Sequence, residues 1–455
     1  MNNHQELAAR LHGLLTEFVV YEQLPGLAVG IVKDNQMLLA GEYGTANLRS
    51  GDPVVRGTLF HQASVSKTFV ATALMQLAER GKVDLDGSIT AYLPYFKLED
   101  ERYRAITVRQ LLNHTSGMPD EDDYAWDRPE YDEESLERYV RGLRHHKLRS
   151  EPGAAFAYSN IGYEILGEVI AKVSGMSFEQ YMKTSVLEPA GMRSSSFLKR
   201  EVETRIAVSH VLGGPAGIGV QVSKVFPYNR AHGPSSTLYT NAEDMCRYML
   251  MHVNRGLAEN GERILQPDSY EMMWRPHAET GYGPDKTHVG LGWFLGEHNG
   301  SRILSHSGWD TGFLSHLLLL PDDGIAISVM TNCDYLWLDS VTLPILDVVR
   351  GSTLRHMKRS AAYPVGAWAL SDGVDRALEE YRRFMDMEQK THYVEEFQFM
   401  QVADALSRSG RREDAFRVLT CAAAIFPGST AISGRLREFS KDGGGANDSF
   451  SQIRL

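Results

Sequence analysis

The sequence predicts an α/β fold of the α+β kind, in which an antiparallel sheet is flanked by helices and carries an all-helical insertion. Two short apolar runs near the amino terminus, 27–32 and 36–41, flank Asp34-Asn35 in the manner of a β-hairpin. Four more apolar runs between 290 and 332 alternate with glycine-containing turns. In the intervening stretch, 82–190, helical patterns and loops dominate, which predicts the insertion.

The helices follow from apolar spacing. Residues 5–22 form one amphipathic pattern that Pro25-Gly26 ends. Apolar residues recur at helical spacing between 70 and 78, which predicts a one-sided helix that begins near Ser64 and ends at Gly81. Further helical patterns lie within the insertion and after it: a short one that starts at Val108 and is stopped at Gly117 and Pro119, and others at 136–143, 162–173 and 237–256.

The strands of the second half are predicted from period-two runs. The runs 290–297, 301–306, 313–321 and 325–332 are joined by an Asn299-Gly300 turn, a turn at 309–312 and a turn at 322–324. A meander of this kind is expected to pair with the amino-terminal hairpin in one sheet.

The chain is long enough for one large body and an appendage, since it has 455 residues, of which 43% are apolar. Residues 1–350 are predicted to form one domain with a sheet part (1–81 and 191–350) and a helical part (82–190). An irregular linker, 351–372, leads to a helical extension at 373–442, where 405–429 resembles a single tetratricopeptide helix pair. A lone repeat cannot bury its own face, so 373–442 is expected either to pack on the body or to bind a partner, through a protein–protein contact or self-association. The tail 443–455 is predicted to be disordered.

Composition excludes several functions. The net charge is −11 and the basic residues are dispersed, which argues against nucleic-acid binding. The acidic runs at 120–123 and 132–134 are interpreted as solvated loops. The cysteines are three in number, far apart and without a CxxC pattern, and no HExxH occurs, so neither a disulfide framework nor a metal or cofactor is expected. The amino terminus lacks a secretory signal and no run is long enough to span a membrane, so a cytoplasmic location is expected.

Ser64 and Lys67 carry the first sign of chemistry. Residues i and i+3 share a helix face, so the hydroxyl and the amine are expected side by side in the first turn, where backbone N–H groups favour developing negative charge. These are the parts of an activated nucleophile. The alternative is an N-cap serine beside a solvated lysine, because Ser-x-x-Lys is short and recurs at Ser196 and Lys199.

Two other short patterns also occur twice. Tyr158-Ser-Asn160 lies on a loop and is matched by Tyr239-Thr-Asn241, which is predicted to cap a helix. His306-Ser-Gly308 ends a predicted strand and is matched by His298-Asn-Gly300, a predicted hairpin turn. The ordered set that places every member where chemistry can use it is Ser64, Lys67, Tyr158, Asn160, His306 and Gly308.

These segments, together with Pro25-Gly-Leu-Ala-Val-Gly, the stretch 110–119 and Gly290-Leu-Gly-Trp, resemble the serine β-lactamase and penicillin-binding-protein superfamily. The resemblance covers about 20–350 and favours the branch of class C β-lactamases, related esterases and D-aminopeptidases. It implies a β-lactamase/transpeptidase-like fold with the site in a cleft between the sheet and the helical part.

The resemblance also implies roles. Ser64 would be the nucleophile that forms an acyl-enzyme, with Lys67 and Tyr158 sharing general base and proton relay, and the sequence does not decide which is the base. Backbone N–H groups of Ser64 and Trp309 would stabilise the oxyanion, and Asn160 would orient Lys67 and bind a substrate amide. His61 and His114 are interpreted as structural, and Trp309 is expected to wall one side of the acyl pocket.

The third motif departs from the family. Many relatives have Lys-Thr-Gly where this chain has His306-Ser-Gly308, and a neutral imidazole is a weaker anchor for a substrate carboxylate. This favours a hydrolase of small esters or of amides and peptides with D- or non-proteinogenic residues, or acyl transfer in secondary metabolism. The alternatives are a β-lactamase or D-alanyl-D-alanine carboxypeptidase, and a non-catalytic binding or scaffold protein.

Overall fold

The computed structural model describes residues 3–121, 123–213, 218–386 and 391–441. The described residues divide into two compact units. One lies within Met1–His210, Val222–Asp334 and Val341–Arg355, and the other within Val211–Gln221, Tyr335–Ser340 and His356–Leu455. Most of the domain predicted for 1–350 lies in the first unit, but Val211–Gln221 and Tyr335–Ser340, from its predicted sheet part, fall within the second. The predicted tail, 443–455, lies outside the described residues.

In the main sheet of the described chain, the strands at the two edges are short and those at the centre are long. They are β1 (Gly26–Lys33), β2 (Gln36–Asn47), β3 (Asp52–Pro53), β4 (Phe60–His61), β5 (His210–Gly213), β6 (Gly219–Val222), β7 (Tyr239–Thr240), β8 (Ala278–Glu279), β9 (His288–Val289), β10 (Phe294–His298), β11 (Ser301–Asp310), β12 (Phe313–Leu320), β13 (Ile325–Thr331), β14 (Arg359–Ser360) and β15 (His392–Tyr393).

Nine of these strands form one antiparallel sheet in the order β3-β2-β1-β13-β12-β11-β10-β9-β8. The predicted hairpin and meander are therefore joined, as β1 pairs with β13 in the register Leu27↔Thr331. Asp34 and Asn35 (φ +52° and +58°) and Asn299 and Gly300 (φ +49° and +79°) adopt the left-handed geometry that two-residue hairpin turns require. The mixed α/β fold expected from the sequence is confirmed.

Strand β11 extends further than the sequence predicted. It runs to Asp310, so Trp309 and Asp310 lie on the strand and the turn begins after them. β10 pairs with β11 only as far as Ser305, whereas β12 pairs with it up to Asp310. In the described sheet, residues 306–310 thus form an edge that no strand covers on the β10 side.

The described helices, apart from short 3₁₀ turns and a π-helical segment at Met182–Leu187, occupy both units. They are α1 (Asn3–Tyr21), α2 (Ser66–Glu79), α3 (Ile89–Tyr92), α4 (Val108–Leu112), α5 (Ser135–Gly142), α6 (Asn160–Ser174), α7 (Phe178–Tyr181), α8 (Lys199–Val202), α9 (Gly233–Ser236), α10 (Ala242–Val253), α11 (Pro267–Met273), α12 (Asp339–Val349), α13 (Ala362–Ser371), α14 (Val374–Asp386), α15 (Glu396–Arg408), α16 (Arg412–Ile425) and α17 (Thr430–Lys441).

Helix α2 is buried on every side, not on one side as its sequence predicted. Every residue from Ser66 to Leu77 is buried. Its polar side chains Thr68, Thr72 and Gln76 are satisfied internally: Thr68 and Thr72 donate to the carbonyls of Val65 and Thr68, and the Gln76 amide donates to the Ser185 carbonyl. Buried hydroxyls and amides are tolerated when they are hydrogen-bonded in this way.

The second unit corrects the predicted linker. Residues 362–371 within the expected linker 351–372 form helix α13, whose Gly366 lies against Val402 of α15 and Val418 of α16. The small residues Ala361, Ala362, Gly366 and Ala369 allow this close packing, and their mixture with loop residues hid the helix from a periodicity search. Four helices follow at 374–441, within the predicted extension. In the described residues, no helix combines the length and apolarity needed to cross a membrane.

Candidate active site

Ser64 lies in a 3₁₀ turn, Ala63–Val65, that leads directly into α2. It is the one residue between Thr58 and Leu77 that is not buried. It is not the N-cap of α2, because Val65 holds that position and no side chain caps the helix. Ala63 has φ +44°, an unfavourable value for a residue with a side chain. The Ser64 hydroxyl is therefore presented on a strained turn, and strained backbone is common at active sites.

Lys67 lies against Ser64. Its Nζ donates to the Ser64 Oγ at 2.8 Å and to the Ser235 carbonyl at 2.8 Å, and its side chain has no exposed surface. Burial lowers the pKa of the Lys67 amine to about 8, and the negative charges of Glu164, Asp310 and Asp120 oppose this shift. A neutral amine beside the serine hydroxyl is thereby accessible near physiological pH.

Tyr158 lies on the loop before α6, and its side chain contacts Ser64 and Lys67. Its hydroxyl is hydrogen-bonded to the Ser64 side chain, and its ring centroid lies 5.3 Å from Lys67 Nζ. Burial raises the pKa of the Tyr158 phenol above its ordinary value, so it stays protonated at neutral pH.

His114 supports the Tyr158 ring. The two rings stack at 4.3 Å, and His114 Nδ1 accepts a hydrogen bond from the Ser159 backbone at 3.1 Å. His114 is buried, and burial lowers its pKa well below the ordinary value. These contacts agree with the structural interpretation of His114.

Gly308 brings the edge of β11 against Ser64. A Cβ at this position would lie 2.3 Å from the Gln62 carbonyl oxygen and 2.9 Å from the Ser64 backbone nitrogen. These distances are shorter than real Cβ contacts, so only glycine fits without displacing the backbone. The absence of a side chain at Gly308 therefore lets the Ser64 turn approach the strand.

His306 is buried two residues earlier on β11. Burial, together with the positive charge of Lys67, lowers its pKa to about 3. Its Nδ1 is paired with the Ser307 carbonyl at 2.8 Å, while its Nε2 has no hydrogen-bond partner among the described residues. The centroid of the His306 imidazole lies 5.3 Å from that of the Phe294 ring and 6.4 Å from that of the Tyr158 ring. A neutral imidazole, which can donate or accept a hydrogen bond, therefore lies beside Tyr158.

Trp309 and Asp310 end the strand. The Trp309 residue is 55% exposed and so presents an aromatic surface next to Gly308. The Asp310 carboxylate bonds to His61 Nε2 at 2.7 Å and accepts a hydrogen bond from the Ser236 hydroxyl. Because His61 lies just before the Ser64 turn, Asp310 ties the end of β11 to that turn. This contact agrees with the structural interpretation of His61.

Asn160 does not have the lysine-orienting contact that was expected of it. Its amide donates to the Asp120 carboxylate at 3.0 Å, and its backbone N–H does so at 2.7 Å. The carbonyl of Ser235 takes its place as the second acceptor for Lys67. Asp120 thus holds Asn160 and acts electrostatically on Lys67, so it is part of the site and not of a solvated loop.

The second copies of the Ser-x-x-Lys and Tyr-x-Asn patterns make structural contacts. Ser196 donates to Glu201 and Lys199 pairs with Glu203, so they do not bond to each other. Asn241 caps α10 through the Asp244 backbone. The described residues hold no group of three or more side chains arranged to bind a metal ion.

Sequence reasoning missed four groups that surround Lys67 and Ser64. They are Glu164, Ser235, Asp310 and Asp120, all of which lie far from Lys67 along the chain. One signal was available for Glu164, since it and Glu168 are carboxylates inside the otherwise apolar run 161–170 of α6. The other three follow from packing and had no local signal.

Comparisons with known proteins place the chain in a family. The sequence profile described as Beta-lactamase matches residues 11–345. The chain is 29% identical over 336 residues to "Penicillin-binding protein 4" of Amycolatopsis lactamdurans, which covers 72% of this chain and 85% of that protein. It is 28% identical over 315 residues to "Protein flp" of Staphylococcus aureus, covering 68% of this chain and 60% of that longer protein.

A solved structure agrees with the sequence matches. The chain is similar to the octameric penicillin-binding protein homologue from Pyrococcus abyssi, with a TM-score of 0.64 and 25% identity over 76% of this chain and 77% of that one. The matched region contains Ser64, Lys67, Tyr158 and the β11 edge. The chain therefore belongs to the β-lactamase family of serine hydrolases, which includes the penicillin-binding proteins.

Proposed function

We propose that the protein is a serine hydrolase that forms an acyl-Ser64 intermediate with small esters, or with amides and peptides that contain D- or non-proteinogenic residues. The observation that carries this proposal is the 2.8 Å hydrogen bond between Lys67 Nζ and Ser64 Oγ, made by a fully buried amine whose pKa is lowered to about 8. Such an amine can exist neutral and accept the serine proton.

In acylation, neutral Lys67 takes the Ser64 proton while Ser64 Oγ attacks the substrate carbonyl carbon. The oxyanion is assigned to the backbone N–H groups of Ser64 and Trp309, which the close approach at Gly308 brings to neighbouring positions. As the tetrahedral intermediate collapses, the Tyr158 hydroxyl protonates the leaving group and regains a proton from the Lys67 ammonium. The raised pKa of Tyr158 supports this division of roles, because a phenol that stays protonated acts as donor.

In deacylation, water replaces the leaving group. The neutral amine again accepts a proton, this time from the water that attacks the acyl carbon, and Ser64 leaves with a proton relayed through Tyr158. An amine or alcohol in place of water would give acyl transfer, with the same accounting of protons.

The substrate class is argued from His306. Its pKa of about 3 means that no positive charge stands there at neutral pH, so the β11 edge offers a substrate carboxylate no ionic partner at this position. Exposed aromatic groups lie nearby, namely Trp309 and Tyr282, which contacts the Phe156 and Phe294 rings. These features favour esters and amides without a carboxylate next to the scissile bond, such as the substrates of an esterase or a D-aminopeptidase.

A second candidate is β-lactam or D-alanyl-D-alanine peptide hydrolysis. One observation favours it: the ammonium of Lys286 lies 6.0 Å from the centre of the Phe294 ring, and its charge contributes to the lowered pKa of His306. Lys286 could thus attract a substrate carboxylate from a neighbouring loop. Nitrocefin turnover that falls when Lys286 is replaced by alanine would favour this candidate.

The deciding experiment is intact mass spectrometry with a fluorophosphonate probe, followed by turnover of p-nitrophenyl esters, D-amino-acid amides and nitrocefin. We expect Ser64→Ala to abolish labelling and turnover. Ser196→Ala is the matched control, because it removes the serine of the other Ser-x-x-Lys pattern, and we expect it to retain both. Equal labelling of Ser64→Ala and the parent protein would overturn the proposal. The cytoplasmic location and a partner for 373–442 stay predictions.

A further inference from the structure

A carboxylate that the family comparison does not single out lies buried behind the Lys67 amine. Glu164, on α6, has no exposed surface. Its Oε1 accepts a hydrogen bond from the Ser235 hydroxyl at 2.5 Å, and its Oε2 accepts one from the Ser235 backbone N–H at 3.3 Å. The Nδ1 of His232, itself buried, bonds to Oε1 at 3.2 Å. Glu164 thus holds Ser235 by both its side chain and its backbone.

Ser235 connects this carboxylate to the reacting groups. Its carbonyl accepts the second hydrogen bond of Lys67 Nζ, at 2.8 Å, while the same Nζ donates to Ser64 Oγ at 2.8 Å. A continuous set of hydrogen bonds therefore runs from Glu164 through Ser235 and Lys67 to Ser64. All members except Ser64 are buried, so water does not compete for these contacts.

We propose that Glu164 is a positioning residue of the catalytic site, which fixes Ser235 so that Lys67 stays on Ser64 and whose buried negative charge stabilises the ammonium formed when Lys67 takes the serine proton. The inference rests on the proposed function and deepens it. Burial of a carboxylate is unfavourable unless it has hydrogen bonds and a countercharge, and a purely packed helix position would be filled better by an apolar residue.

The electrostatic surroundings of Lys67 support the second part. Three carboxylates act on it, and the influence of Glu164 exceeds those of Asp310 and Asp120 in raising its pKa against burial. Asp310 is held by His61 and Ser236, and Asp120 by Asn160, so neither bonds to a partner of Lys67. The other titratable groups that face Lys67 are Tyr158, Tyr163, His114 and His306.

The test is the pH dependence of Ser64 modification in Glu164→Gln, which keeps the shape of the side chain and removes the charge. Without the negative charge the Lys67 ammonium is less stable, so the acidic limb of the labelling rate and of kcat/KM is expected to move to lower pH by roughly one unit. The rate at the optimum is expected to fall several-fold, up to about tenfold, since an amine that is one pKa unit less basic is a weaker proton acceptor. KM is expected to change little.

Glu168→Gln is the matched control. Glu168 lies one turn along the same helix, is also buried, and bonds to Tyr95 and Lys172, away from Ser64. We expect its acidic limb to coincide with that of the parent. Glu164→Asp, which retains the charge on a shorter side chain, is expected to give a limb between those of the parent and Glu164→Gln.

Thermal unfolding would show whether Glu164→Gln folds. If it does not, Glu164→Asp alone tests the inference, because the acidic limb of its pH profile must still lie at lower pH than that of the parent. Acidic limbs in Glu164→Gln or Glu164→Asp that match the parent would overturn this inference and leave the proposed function intact. A parent protein whose Ser64 is neither labelled nor required for turnover would overturn the proposed function instead.

Discussion

Replacing Lys67 by methionine is expected to abolish activity and to make the protein more stable near neutral pH. The side chain of Lys67 is fully buried, and burial lowers the pKa of its amine from 10.5 to about 8. A pKa unit corresponds to about 1.36 kcal/mol, so the buried ammonium lowers the free energy of unfolding by roughly 3 kcal/mol. Methionine fills a similar volume without that penalty.

The pH dependence separates this effect from packing changes. Below about pH 8 the lysine is protonated in both the folded and the unfolded chain, so the penalty is present in full. Between about pH 8 and 10.5 the unfolded lysine keeps a proton that the folded lysine has lost, so the free energy of unfolding rises with pH in the parent but not at this site in the variant. The advantage of the variant should shrink by roughly 1.4 kcal/mol per pH unit above 8.

Urea unfolding of the parent and of Lys67→Met at about pH 7, 8.5 and 9.5 measures this difference. Groups common to both proteins cancel in it. Loss of the hydrogen bond to the Ser235 carbonyl costs the variant about 1–3 kcal/mol at every pH. The change with pH is therefore the critical quantity. A difference that stays constant from pH 7 to 9.5, or that moves in favour of the variant as pH rises, would refute the reasoning.

Four further outcomes are expected. In the parent, log kcat/KM should rise with unit slope up to about pH 8, where Lys67 becomes neutral, and a limb centred near pH 6.5 would implicate a different base. Tyr158→Phe should lower kcat by about 100-fold or more through loss of the proton donor, with normal folding by circular dichroism. Gly308→Ala should reduce Ser64 labelling at least tenfold, because its Cβ would collide with the Gln62 carbonyl, and parent-like labelling would contradict the close approach seen here. His306→Lys should improve kcat/KM for substrates with a carboxylate near the scissile bond relative to their methyl esters, as measured on matched pairs, and an unchanged ratio would remove His306 from substrate selection.

What the sequence could predict depended on whether the contact was local. Ser64 and Lys67 are three residues apart at the start of a helix, so their contact follows from helix geometry, and the hairpin turns at Asp34-Asn35 and Asn299-Gly300 follow from backbone preference. The Ser235 carbonyl, by contrast, is a backbone atom 168 residues from Lys67, and no residue pattern announces it.

Other differences have the same origin. Asn160 matched a motif of the family, but its side-chain amide is hydrogen-bonded to Asp120, which the fold brings close. Helix α2 was predicted to be one-sided, but Thr68 and Thr72 bond to carbonyls one turn earlier and Gln76 bonds to the Ser185 carbonyl, so these polar side chains are buried as well. Helix α13 was assigned to a linker because its small residues give a weak apolar period, although they are what allow close packing.

The central claim, that a neutral Lys67 activates Ser64, is tested most directly by the rate of adduct formation on Ser64 as pH is varied. Rapid quenching, intact mass spectrometry and peptide mapping with one fluorophosphonate probe would provide this rate between about pH 6 and 9.5. The account predicts a single adduct on Ser64 whose rate increases about tenfold per pH unit and levels off near pH 8. An adduct on another residue, or a rate on Ser64 that is the same at every pH, would contradict it.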